Sequence, residues 1–128
     1  MTIVLDSWAV LRLLEDAGSA AGDVERLLEA ERPLMSWINM GEVHYVLRRA
    51  HGEHAAVEAI RDLRRRIDTR LPDESAVTAA ARIKADHAMS YADAFAAALA
   101  VDADAELWTG DPELLIDDGG WRWRDLRG

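Results

Sequence analysis

The sequence predicts an α/β domain with a mainly parallel central sheet sandwiched by helices. Three observations predict it. Short β-favouring runs alternate with longer segments of helical period, acids recur where an apolar run gives way to a helix start or loop, and 50% of the 128 residues are hydrophobic. That composition can bury a sizeable core, and one domain is expected over residues 1–128, with no internal repeat, linker or low-complexity stretch.

Ile3–Leu5 is β-favouring and too short for a helix, and it ends at Asp6. Val10, Leu13, Leu14 and Ala17 recur at helical spacing until Gly18, and Val24, Leu27 and Leu28 mark a second short helix before Pro33. Residues 34–37 read as a strand. Val43, Val46, Leu47 and Ala50 then give the i, i+3, i+4, i+7 stripe of a helix ending near Gly52, and Val57, Ile60, Leu63 and Ile67 continue as another amphipathic helix. A brief strand over 69–71 stops at Pro72, and a helix from about Asp73 carries Ala76, Ala79, Ala80 and Ile83 on one face. After a connector over 87–89, Ser90 caps a helix bearing Ala92, Phe95, Ala96 and Leu99. Glu106–Thr109 is the next strand, broken at Gly110-Asp111-Pro112. Trp121 and Trp123, alternating with Arg122 and Arg124, give a final half-exposed strand.

The formal charge of −9 argues against a general nucleic-acid coat, because phosphate binding is driven by Lys and Arg displacing counterions. Residues 48–70 depart from that balance with seven Arg against four acids, while the rest carries 8 basic and 20 acidic residues. Arg64, Arg65 and Arg66 are therefore candidates for contacting a phosphate backbone, the alternative being a solvated helix face. No cysteine is present, so thiolate and disulfide chemistry are excluded. No apolar run approaches a membrane span, and the first residues lack a basic segment, so a cytoplasmic protein is expected. His51 and His54 flank Gly52 and read as a solvated helix junction. Tyr45, Trp37 and Trp108 read as packing residues, and five Trp in all suggest interface area beyond a monomer's core.

The chemistry-bearing candidates are Asp6, Glu42, Asp93 and Asp111. Each has an ordinary explanation. Asp6 can cap the first helix, Asp111 before Pro112 is a common helix entry, Asp93 follows Ser90 at capping-box spacing, and Glu42 lies in a first turn. Their conjunction points elsewhere: residues after different strands of a parallel sheet converge at one edge, and clustered carboxylates recruit a cation. An oxygen-only set suits Mg²⁺ or Mn²⁺ better than zinc. Around Asp93, the small side chains Ala96, Ala97 and Ala100 leave room for close approach.

The string Ser90-Tyr91-Ala92-Asp93-Ala94-Phe95-Ala96-Ala97-Ala98-Leu99-Ala100 resembles the third acidic motif of PIN-domain ribonucleases of the VapC toxin type. Val4-Leu5-Asp6-Ser7, the stretch from Ser36 to Gly41-Glu42-Val43, and Thr109-Gly110-Asp111-Pro112-Glu113-Leu114 match the other motifs in order and spacing. The resemblance covers nearly the whole chain and implies a PIN-like fold and divalent-metal-dependent RNA cleavage. It assigns Asp6, Glu42 and Asp93 to metal binding, Asp111 to completing the acidic pocket, and Ser7 and Thr109 to ordering it. It also implies in-line phosphodiester hydrolysis without a covalent enzyme intermediate, a homodimer, and a cognate antitoxin that plugs the acidic groove. One departure is Trp8, where a small hydroxyl residue is frequent. A haloacid-dehalogenase-type phosphatase would need a second Asp at position 8, and a phosphoreceiver domain would need an acidic pair after the first strand. The remaining alternative is a catalytically silent PIN fold kept for RNA or protein binding.

Overall fold

The computed structural model describes Met1–Gly128, and its strands alternate their side chains between two buried layers. They are β1 (Ile3–Leu5), β2 (Leu34–Ser36), β3 (Asp68–Arg70), β4 (Glu106–Thr109) and β5 (Arg122–Asp125), all parallel, in the order β3-β2-β1-β4-β5. The helices are α1 (Ser7–Leu14), α2 (Gly18–Ala30), α3 (Trp37–His51), α4 (Glu53–Arg66), α5 (Glu74–Asp86) and α6 (Tyr91–Asp102). Because successive strand residues face opposite ways, Ile3, Leu5, Met35 and Trp108 enter a core covered by α1 to α4. Val4, Leu34 and Leu107 enter a second one, under α5 and α6. The expected mainly parallel, helix-sandwiched sheet is thus present.

Helix α6 is buried almost all round, from Asp93 to Ala98 and again at Ala100. It wedges against α5, α3 and strands β1, β2 and β4, and its alanines let these elements approach closely.

Local differences from the sequence reading have physical causes. Helix α1 stops at Leu14, so Ala17 does not belong to its stripe; Gly18, at φ +66°, opens α2 instead of ending α1. Trp37 starts α3 rather than ending β2, because the Ser36 hydroxyl accepts the Ile38 N–H at 3.2 Å and caps the helix. Strand β3 lies one residue earlier than expected, with Asp68 opposite Leu34, and leaves Leu71 80% exposed. No helix follows Pro112. Asp111 Oδ1 accepts the Glu113 N–H at 3.0 Å and forms a turn.

Three of the tryptophans brace loops within the protomer. The Trp121 and Trp123 indoles donate to the carbonyls of Leu114 and Ile116, pinning the irregular β4–β5 crossover. Trp8 occupies the space left by a missing side chain: a Cβ built at Gly110 would overlap its ring. Gly110→Ala is therefore expected to cost about 1–3 kcal/mol of stability, read as a lower melting temperature and partly recovered by Trp8→Leu. A wild-type melting temperature for Gly110→Ala would show that the ring moves aside freely. No helix is long and apolar enough to cross a membrane.

Candidate metal centre

The strand order places the site. From β1 the chain runs outward through β2 and β3, then returns to the other side of β1 as β4, so the topological switch point lies between β1 and β4. Leu5 pairs with Trp108, which brings the next residues, Asp6 and Thr109, together at the carboxyl edge.

Asp6 is 1% exposed. Its Oδ1 accepts the Ala9 N–H at 2.9 Å, capping α1, and its Oδ2 accepts the Thr109 hydroxyl. The Thr109 oxygen in turn accepts the Asp111 N–H at 3.0 Å. Asp6 therefore caps α1 with one oxygen and holds Thr109 with the other. On α3, Glu42 Oε1 accepts the Ser7 hydroxyl at 2.8 Å and the Asn39 amide at 3.2 Å, and no hydrogen bond engages Oε2. On α6, the Ser90 hydroxyl accepts the Asp93 N–H at 3.1 Å. The Asp93 carboxylate faces Asp111 and Glu113 rather than closing a capping box, and one oxygen from each of these three acids lies within 4.8 Å of the others.

Burial is the main reason the Asp6 carboxyl is pushed up to about 7. The charges of Asp111 and Glu42 add to it, against the hydrogen bonds from Thr109 and Ala9. Burial also leads at Asp93, pushed up to about 8, followed by a hydrogen bond to Asp111 that holds a proton and by the charges of Asp111, Asp6 and Glu42. No Lys or Arg bridges Asp6, Glu42, Asp93, Asp111 or Glu113, and ten of the fifteen basic residues pair with other acids. Five acids converging without a basic partner, with no thiolate or imidazole among them, fit a hard divalent cation.

Of the residues named from sequence, Asp93 and Asp111 form the tight group, while Asp6 and Glu42 join it through charge and are held by Thr109 and Ser7. Glu113 was missed as a site residue; the only signal was a second acid just after Asp111-Pro112, and the turn brings it in. The arginines at the end of α4 divide. Arg66 pairs with Glu25 of α2 at 2.6 Å, Arg64 lies over the Trp37 ring at 5.0 Å, and Arg65 is held only by a 3.7 Å contact to Asp62. Arg61, Arg64, Arg65 and His44 line an open cleft of about 410 Å³ between α3 and α4.

A parallel α/β sandwich with unpaired acids gathered at its switch point defines an α/β protein built around a cation-attracting edge. The chain belongs to the PIN domain family, whose profile matches residues 3–116. Among solved structures, it is similar to DNA-bound VapBC from Salmonella typhimurium (TM-score 0.78, 16% identity, 99% of each chain). It is also similar to VapBC-1 from nontypeable Haemophilus influenzae (TM-score 0.76, 21% identity, 98% of each chain). A third is Mycobacterium tuberculosis VapC20, described as a sarcin-ricin loop cleaving toxin (TM-score 0.74, 19% identity, 88% of this chain and 92% of that one). At these identities the likeness is one of fold. No curated protein sequence matches the chain.

Proposed function

We propose that the chain is a VapC-like toxin: a divalent-metal-dependent endoribonuclease of the cytoplasm, acting as a homodimer and neutralised by a cognate antitoxin. The observation that carries this reading is the group Asp93, Asp111 and Glu113, without a basic partner and with Asp6 and Glu42 near enough to add their charges, at the switch point of a PIN fold. The VapBC and VapC20 neighbours support the toxin and antitoxin assignment.

Asp93, Asp111 and Glu113 would hold Mg²⁺ or Mn²⁺, with Asp6 and Glu42 completing the acidic set. Such a cation supplies Lewis acidity, lowering the pKa of water and offsetting charge on the phosphate. The chain's own residues orient the ligands. Thr109 ties Asp6 to the backbone of Asp111, and Ser7 grips Glu42 Oε1 while leaving Oε2 free of hydrogen bonds. A carboxylate oxygen that accepts one hydrogen bond retains a second lone pair, so Asp6 can cap α1 and still face a cation.

The test is cleavage of single-stranded RNA by the purified protein, with end mapping after brief expression in cells to locate the target. Cleavage is expected with Mg²⁺ or Mn²⁺, is lost in EDTA, and is blocked by the antitoxin. No cleavage together with no saturable Mn²⁺ binding would instead identify a silent binding module.

The cleft beside α4 serves in this reading to steer RNA past an otherwise repulsive acidic surface. Arg64→Glu with Arg65→Glu is expected to raise KM with kcat unchanged, and to flatten the salt slope by roughly 0.7 for each phosphate no longer neutralised. Arg66 shares the same run but is tied to Glu25, so Arg66→Glu should lower stability more than it alters KM. An unchanged KM and salt slope in the Arg64/Arg65 double variant would make the cleft a solvated face.

A further inference from the structure

We propose that Asn39 is a positioning residue for the acidic centre, setting Glu42 against Asp93 through a single buried amide nitrogen. The inference rests on the cation-binding reading above. Asn39 lies in the first turn of α3 and is fully buried. Its Nδ2 donates to Glu42 Oε1 at 3.2 Å and to the Ala92 carbonyl on α6 at 3.0 Å. Both partners are acceptors, so the amide can be oriented only one way, nitrogen toward them and oxygen away. That oxygen is itself buried and has no hydrogen-bond partner.

An orphaned buried acceptor is a penalty that an apolar side chain would avoid. Nor does α6 require the bond, because a carbonyl in the first turn of a helix already accepts from the N–H four residues on. What the amide adds is position. Glu42 Oε1 is the common acceptor of Ser7, which follows Asp6, and of Asn39, which also grips Ala92, the residue before Asp93. Glu42 Oε1 and the Asn39 amide together thus link the starts of α1 and α6 to α3, where Glu42 stands in the second turn rather than in the first as its sequence position suggested. Residues that orient cation ligands from behind are worth 10- to 100-fold in affinity, and Asn39 falls in that range.

The experiment compares wild type, Asn39→Leu and Asn39→Ala by thermal melting without metal and by Mn²⁺ calorimetry. Leucine matches the branching of asparagine while removing both the donor and the orphaned acceptor. Asn39→Leu is expected to melt no lower than wild type yet to bind Mn²⁺ about 10- to 100-fold more weakly. Asn39→Ala is expected to lose similar affinity while melting lower because it leaves a cavity. A merely structural residue would show the reverse for leucine: lost stability with Mn²⁺ affinity intact in the folded fraction. Either that pattern or failure of Asn39→Leu to fold overturns the proposal. Wild type without saturable Mn²⁺ binding would overturn the cation reading as well, whereas wild-type binding with an unchanged dissociation constant in Asn39→Leu removes the positioning role alone.

Discussion

Asp93→Asn is expected to reduce RNA cleavage about a thousandfold or more, equivalent to roughly 4 kcal/mol of barrier, while the metal-free protein melts no lower than wild type. Asparagine keeps the volume and the backbone N–H accepted by Ser90, so the start of α6 is preserved. It removes a charge from a group that already resists ionisation because it is buried beside Asp111. Where the pH is high enough to ionise Asp93, relief of that repulsion favours the fold, and loss of a ligand would disable the centre at any pH. Asp6→Asn should be equally inactive but gain less stability. Its carbonyl can still cap α1 through Ala9, but its amide must then face a Thr109 oxygen that already accepts from Asp111, and the Thr109 proton must find another acceptor. Cleavage by Asp93→Asn near the wild-type rate would remove Asp93 from the centre. A large fall in its melting temperature would make it a structural acid.

The second large effect is on pH. Asp6 and Asp93 titrate at about 7 and about 8 in the folded chain, against 3.8 for an ordinary Asp. Between pH 4 and these values the folded protein retains protons that the unfolded chain releases. Stability without metal should therefore fall as pH rises through this window, by up to about 1.4 kcal/mol per pH unit for each group, and level off above pH 8. A cation binds the deprotonated carboxylates, so its stabilisation should grow over the same range. At one hundred times its dissociation constant it contributes about 2.7 kcal/mol. The check is a set of melting curves from pH 5 to 9 in EDTA and in Mg²⁺. Asp93→Asn serves as the reference, so that any pH dependence common to both proteins cancels. Equal Mg²⁺ shifts at pH 5.5 and 8.5, or a metal-free protein that becomes more stable across the window, would contradict the assignment of these carboxyls.

Element order was legible because periodicity and capping are local. Asp6, Ser36, Asp73 and Ser90 stop or start their elements by bonding to backbone two or three residues away, information contained in a short window. Two of the boundaries that moved, at Gly18 and Trp37, are places where one residue can end one element or begin the next. The acids Asp6, Glu42, Asp93 and Asp111 were readable for the same reason, since each sits at a strand end, in a helix turn near its start, or at a breaker.

Which acids touch was settled by packing. Asp93 meets Asp111 and Glu113 only because α6 and the β4 exit lie side by side, and Glu113 enters only because the chain turns after Pro112 instead of starting a helix. Asn39 looks like any polar residue in an amphipathic helix until its amide is seen to reach Ala92, 53 positions away. Arg66 is indistinguishable from Arg65 until α2 presents Glu25 to it, 41 positions away. Hydrogen bonds and charges act over a few ångströms of space without regard to chain separation. The order of residues alone thus set which side-chain types stand at the ends of which elements, and packing in three dimensions set which of them become neighbours.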